Sequence, residues 1–261
     1  MTSIPSYAAF LVVFVGIPIA MLVRRGRRER RRHAAVATGL MVAAALAYTT
    51  PWDNYLIGAG VWWYGDGAVT ARIWLAPIEE YLFIALQPVL AALWIYHRGW
   101  ADAGTTTHDP PAADVTTDGG YVTTPVARDT ARMAFPRVGG ALAWLAVASV
   151  GLWAVTTGRA YYLGAILAWA APVLALQWAI GGGFLWTIRR RLALLVAVPT
   201  VYLWTADWLA IELGIWTISS THTIGVGLLG LPAEEMTFFL VTNLLVVQGI
   251  VLFHRVVERW R

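Results

Sequence analysis

The sequence predicts an all-α integral membrane protein of about seven transmembrane helices, built as two parallel three-helix repeats joined by a linker helix. Three observations carry that expectation. Hydrophobic residues fill 59% of the 261 positions and charged residues only 13%. Several apolar runs approach the roughly 20 residues that a helix needs to cross a bilayer. A pattern of acidic, aromatic and proline residues in the first half of the chain returns in the second.

In chain order the apolar runs extend roughly from Tyr7 to Val23, Ala34 to Thr50, Pro77 to Tyr96, Val138 to Thr157, Tyr161 to Ile180, Leu192 to Ile211 and Leu231 to Phe253. The first resembles a signal peptide in length. Its basic cluster follows the apolar run instead of preceding it, and no small-residue cleavage site is evident, so it is read as a retained helix. Seven of the 19 Arg residues lie between Arg24 and Arg32. They form a topological anchor, and with seven spans the positive-inside rule puts Arg189, Arg190, Arg191, Arg255, Arg259 and Arg261 on the same, cytoplasmic side. The amino terminus is expected outside and the carboxyl terminus in the cytoplasm. Between the third and fourth runs, Asp102, Asp109, Asp114 and Asp118 alternate with Thr, Pro and Gly, the composition of a flexible acidic linker. The expected organisation is a first repeat at 1–99, the linker at 100–137, a linker helix at 138–158 and a second repeat at 159–261.

The repeats are legible residue by residue. Asp53, Gly60, Trp62 and Pro77-Ile78-Glu79-Glu80 in the first half answer to Asp207, Gly214, Trp216 and Pro232-Ala233-Glu234-Glu235 in the second. The Asp-to-Trp spacing is nine residues in both halves, and the Trp-to-Pro spacing differs by one, which reads as a duplication. Three spans per half with one helix between them makes the repeats parallel, related by an axis along the membrane normal.

Composition removes several functional classes. With no Cys, the chain has no disulfides, thiolate nucleophiles or Cys-ligated metal centres. With no Lys, it cannot form a retinal Schiff base, whatever its span count. The formal charge of +4 is concentrated in the topological anchor, so no nucleic-acid partner is expected. The run Gly181-Gly182-Gly183 follows no strand and is not a nucleotide fingerprint.

The chemistry is expected at the duplicated acids. A carboxylate in hydrocarbon costs several kcal/mol, so Glu79, Glu80, Glu234 and Glu235 are candidate catalytic residues by position alone. Each pair also follows a helix-starting proline and meets the positive end of the helix dipole, which supplies a purely stabilising reading. On a helix, Glu80, Phe83 and Gln87 share a face, as do Glu235, Phe238 and Thr242. Glu79 and Glu234 are still neighbours of those Phe residues, and the sequence does not choose within a pair. A buried carboxyl in an apolar pocket tends to stay protonated and can act as a general acid, while ring faces stabilise a cation. Trp62, Trp216, Phe83 and Phe238 are the candidate ring faces, and Asp53 and Asp207 the candidate orienting acids. Trp52, Trp63, Trp74, Trp204 and Trp208 also lie near the acids, many of them expected in the interfacial aromatic belt. Glu212 and His222 have weaker claims. No metal motif is visible.

The segments Trp62-Trp63-Tyr64, Leu75-Ala76-Pro77-Ile78-Glu79-Glu80-Tyr81-Leu82-Phe83 and Gly230-Leu231-Pro232-Ala233-Glu234-Glu235-Met236-Thr237-Phe238-Phe239 resemble the membrane carotenoid cyclases of archaea and actinobacteria. In that family two lycopene cyclase domains are fused or supplied as separate subunits. The fused arrangement here is similar to the haloarchaeal type. The resemblance implies lycopene as substrate in the lipid bilayer and β-carotene as product, through γ-carotene, without net redox change. It implies no metal and no required cofactor, with a reduced flavin as the one to test. Glu80 and Glu235 are then the expected acid–base residues, supported by Glu79, Glu234, Asp53 and Asp207. Two rivals stand beside it: another intramembrane prenyl-lipid enzyme, such as a prenyltransferase using Mg²⁺ and diphosphate, and a small proton-coupled transporter built from repeats and buried acids. Oligomeric state is not legible.

Overall fold

Seven helices long and apolar enough to cross a bilayer run through the computed structural model, which describes residues 5–25, 31–99 and 126–259. The acidic linker from 100 to 125, the middle of the basic run from 26 to 30 and the terminal Arg261 lie outside the described residues. The first span is composite. Helix α1 (Tyr7–Leu11) starts where Ser6 Oγ accepts the Ala9 N–H at 3.2 Å, passes through a π-helical turn (Val12–Gly16) and continues as α2 (Ile17–Arg25). Pro18 has no N–H for the Phe14 carbonyl four residues back, and Tyr202 Oη donates to that oxygen instead at 2.7 Å. The other spans are α3 (Arg31–Gly58), α4 (Ile78–His97), α5 (Val126–Ala154), α6 (Tyr161–Thr187), α7 (Arg189–Glu212) and α8 (Ala233–Arg259). Residues 126–137, assigned to the linker on sequence grounds, form the first turns of α5; Ala and Arg are good helix formers and Gly is absent there before Gly139.

Six short strands, not expected from the sequence, cap one end of the bundle. Strand β1 (Trp62–Tyr64) pairs antiparallel with β4 (Trp216–Ile218), joining Trp62 to Ile218 and Tyr64 to Trp216. Strands β2 (Arg72–Ile73) and β3 (Ala76–Pro77) form a hairpin in the first half, matched by β5 (Gly227–Leu228) and β6 (Leu231–Pro232) in the second. Helices α3 and α7 each end just before a left-handed glycine, Gly60 at φ 73° and Gly214 at φ 72°, whose N–H groups close on Ile57 and Ile211.

The two repeats agree in detail. Tyr7 N–H donates to the Ala68 carbonyl and Tyr162 N–H to that of His222; Ile78 N–H donates to Ala71 and Ala233 N–H to Val226. Strands following α3 and α7 meet at the same end, so the repeats run parallel, as the odd number of intervening spans predicts. Helix α5 packs outside this symmetry against α6. A Cβ built on Gly164 would lie 2.5 Å from the Val155 nitrogen and 2.7 Å from the Gly151 carbonyl oxygen, so glycine permits the two backbones to touch.

Candidate active site

A cavity of about 60 Å³ lies under the strand cap, where α1, α3, α4, α6, α7 and α8 converge, and carboxyls from both repeats line it. Asp53 of α3 and Asp207 of α7 are 4% and 3% exposed, and the Oδ2 atom of each is buried without a hydrogen-bond partner. Glu80 and Glu235 enter from the first turns of α4 and α8. Placing four carboxyls around one small space is costly within a membrane, and such clusters mark function.

Phenols hold the two Glu side chains. Glu80 Oε2 accepts from Tyr7 Oη at 3.0 Å and from Tyr64 Oη at 2.9 Å. Tyr64 Oη in turn accepts from Trp62 Nε1 at 3.1 Å. Glu235 Oε1 accepts from Tyr162 Oη at 2.9 Å. Tyr7 and Tyr162 occupy equivalent positions, but Tyr64 has Ile218 as its counterpart, so Glu80 has two phenolic donors and Glu235 one. Burial, reinforced by Glu80 and Asp53, pushes the Tyr64 phenol well above its ordinary pKa, which keeps its proton available to Glu80. The tryptophans diverge as well: Trp62 donates to Tyr64, whereas Trp216 donates to Asp207 Oδ1 at 3.0 Å.

Aromatic rings form the rest of the wall. Trp52 stacks on Trp169 at 4.7 Å and lies 5.9 Å from Phe238 with the rings 3° from parallel. Tyr7 meets Trp216 edge-on at 5.0 Å. These contacts hold the rings against one another in the same wall as the acids, and ring faces are groups that can stabilise a cation. Phe83 and Phe238 line the far side and also border a second, larger groove. The helical stripe of Glu80, Phe83 and Gln87 therefore runs from the acid cavity into that groove, as does the stripe of Glu235, Phe238 and Thr242.

The structure thus brings together Asp53, Glu80, Asp207, Glu235, Trp62, Trp216, Phe83 and Phe238, and leaves Glu79 and Glu234 out. Glu79 Oε1 accepts from the Thr70 backbone N–H at 2.9 Å and from its hydroxyl, and Glu234 Oε1 accepts from the Ile224 N–H at 2.7 Å. Each ties the loop before its helix to the first helical turn. Trp63 and Trp74 are exposed, and Trp208 points outward to the Leu229 carbonyl. Tyr7, Tyr64 and Tyr162 were missed from sequence. A signal for two of them existed, because Tyr7 and Tyr162 are 155 residues apart, the same offset as Glu80 and Glu235.

The sequence model described as lycopene cyclase matches residues 5–98 and 158–253. The chain belongs to the lycopene cyclase family. Its matched segments coincide with the two repeats, and α5 falls in the gap between them. The cyclase is 45% identical over 258 residues to a lycopene beta-cyclase of Halobacterium salinarum, covering 98% of this chain and 99% of that one. It is also 32% identical over 226 residues to a bifunctional lycopene cyclase/phytoene synthase of Podospora anserina, and 31% identical over 216 residues to one of Aspergillus oryzae. In those two the similarity covers 82% and 81% of the cyclase but only 34% and 33% of the fungal chains. No solved structure matches the chain.

Proposed function

We propose that the acid cavity closes the ψ ends of lycopene into β rings, giving β-carotene through γ-carotene. The observation that carries this reading is the convergence of Glu80 and Glu235, from equivalent positions in two repeats of a lycopene cyclase, on one aromatic cavity. Each ring closure is an isomerisation. A proton adds to the inner carbon of the terminal alkene and leaves a tertiary cation. The next trisubstituted alkene attacks that cation, forming the ring bond and moving the charge to the ring carbon that bears the methyl group. Loss of a proton from the neighbouring ring carbon restores a double bond, so no atom or electron is gained or lost.

The unequal donors divide the work. Two phenols on Glu80 favour its carboxylate, which takes the final proton; Glu235, with one, delivers the first. The unpartnered oxygens of Asp53 and Asp207, with Trp52, Trp216 and Phe238, stabilise the travelling positive charge. No cofactor enters these steps, so adding reduced flavin to purified protein should leave the rate unchanged. The test of the function is expression in a lycopene-accumulating bacterial host. A product of unchanged mass with the β-carotene spectrum supports the reading, and unaltered lycopene beside verified membrane-inserted protein refutes it.

The same steps predict an isotope result. In D₂O, mass spectrometry should find one deuterium in each ring, because the donated proton comes from a solvent-exchanged carboxyl while the one lost was already on the substrate. A fully unlabelled product would contradict this proton route.

We place the acid cavity near the non-cytoplasmic face. Arg24, Arg25, Arg98, Arg189, Arg190 and Arg255 all sit at helix ends opposite the strand cap, which supports an outside amino terminus. The absence of Cys makes a clean assay possible. In intact cells a membrane-impermeant thiol reagent should label Asp66→Cys, in the exposed cap, and reach Arg190→Cys only after permeabilisation.

A further inference from the structure

The repeat symmetry produces two equivalent grooves that have become unequal. One, of about 480 Å³, lies between α3, α4, α6 and α8; the other, of about 220 Å³, lies between α2, α4 and α7. Their kinship is visible in Tyr48 and Tyr202. Tyr48 Oη donates to the Trp169 carbonyl at 2.8 Å in the larger groove, and Tyr202 Oη donates to the Phe14 carbonyl at 2.7 Å beside the smaller. Those acceptors are themselves 155 residues apart.

Two differences separate them. Trp94 lines the smaller groove, and its counterpart 155 residues later is Gly249. A Cβ on Gly249 would lie 2.5 Å from Met41 Sδ and 3.5 Å from Gln177 Nε2, both of which line the larger groove, so any side chain there would intrude on it. The larger groove also shares Phe83 and Phe238 with the acid cavity, whereas the smaller shares none of its lining. Among the described residues no charged one lines the larger groove, and its volume lies in the range of roughly 300–1,000 Å³ usual for small-molecule sites.

We propose that the groove between α3, α4, α6 and α8 holds the linear polyene of the substrate, that Trp94 closes its twin, and that the chain therefore cyclises one end per binding event. This rests on the reading of the acid cavity given above. Glu80 and Glu235 face one shared space, so one centre serves both substrate ends, and of the two grooves the larger borders it. The monocyclic product leaves through the groove and returns reversed, with its finished ring trailing.

The experiment uses membranes containing the full chain, isotopically labelled lycopene and an excess of added unlabelled monocyclic γ-carotene. Labelled bicyclic product should appear only after a lag, with its label diluted at least tenfold by the added pool. Undiluted label in bicyclic product formed without a lag would overturn the proposal. Gly249→Leu and Val173→Trp, which fill the larger groove, should each lower conversion at least tenfold at equal amounts of inserted protein, and Trp94→Leu should leave it unchanged. Wild-type rates in both groove-filling variants, or an equal loss in Trp94→Leu, would also overturn it. Failure of the underlying function looks different, since wild-type membranes would then leave lycopene unconverted.

Discussion

Glu235→Gln is expected to lower ring closure by about 10²–10⁴-fold, the usual contribution of a positioned general acid. The amide keeps the shape of the carboxyl and an oxygen that accepts from Tyr162, so the aromatic wall and the fold should persist. What disappears is the proton to donate. Glu80→Gln should fall in the same range, because the amide oxygen still accepts from Tyr7 and Tyr64 but cannot take a proton from the ring cation. Pigment chromatography from a lycopene-accumulating host, normalised to inserted protein, reads the effect. Activity within threefold of wild type for either variant would remove that residue from the proton route. Glu235→Asp is a graded test: the shorter side chain withdraws the acid by about 1 Å, a displacement that alone can cost about 10²-fold.

Glu234→Ala should do something different: destabilise the fold while sparing turnover in the molecules that do fold. The Glu234 side chain is fully buried, and one of its oxygens receives the Ile224 N–H at 2.7 Å. Truncation leaves that backbone donor without its partner, at a cost of about 1–3 kcal/mol. Glu79→Ala strips the same support from Thr70. Thermal unfolding in detergent should show a lowered transition for both, with the rate per folded molecule within a few-fold of wild type. A rate loss as deep as that of Glu235→Gln with an unshifted transition would reverse this division between the adjacent acids.

That division marks where the sequence stops being sufficient. The spans are legible because bilayer thickness imposes a length on apolar runs, and the repeats because Asp53, Trp62 and Glu80 recur at nearly fixed intervals. Choosing between Glu79 and Glu80 is a different problem. Both lie on the first turn and both neighbour Phe83; only the hairpin from Arg72 to Pro77, folding back to present Thr70, turns one of them away from the cavity. Strands of two or three residues carry no periodicity to detect, so that hairpin is invisible before the fold is known. The same holds for tryptophan: Trp62 and Trp63 are adjacent, and the β1–β4 register alone decides that the first is buried and the second exposed. Tyr7 and Tyr162 were within reach, since their offset equals that of the acids they serve.

The β1–β4 pair also has a consequence for how the molecule can be divided. Its register is reciprocal: the Gly65 N–H donates to Ile215, and the Ser219 N–H donates to Val61, so each half closes the other in the same way. Tyr64, which holds the Glu80 of its own half, stands opposite Trp216, which holds the Asp207 of the other. A chain severed between residues 100 and 125 would yield two membrane fragments, each with two of the four carboxyls and an open seam where its sibling belongs. Neither is half an enzyme in the sense of working at half speed. Competence belongs to the seam, and returns only when the fragments zip together along it.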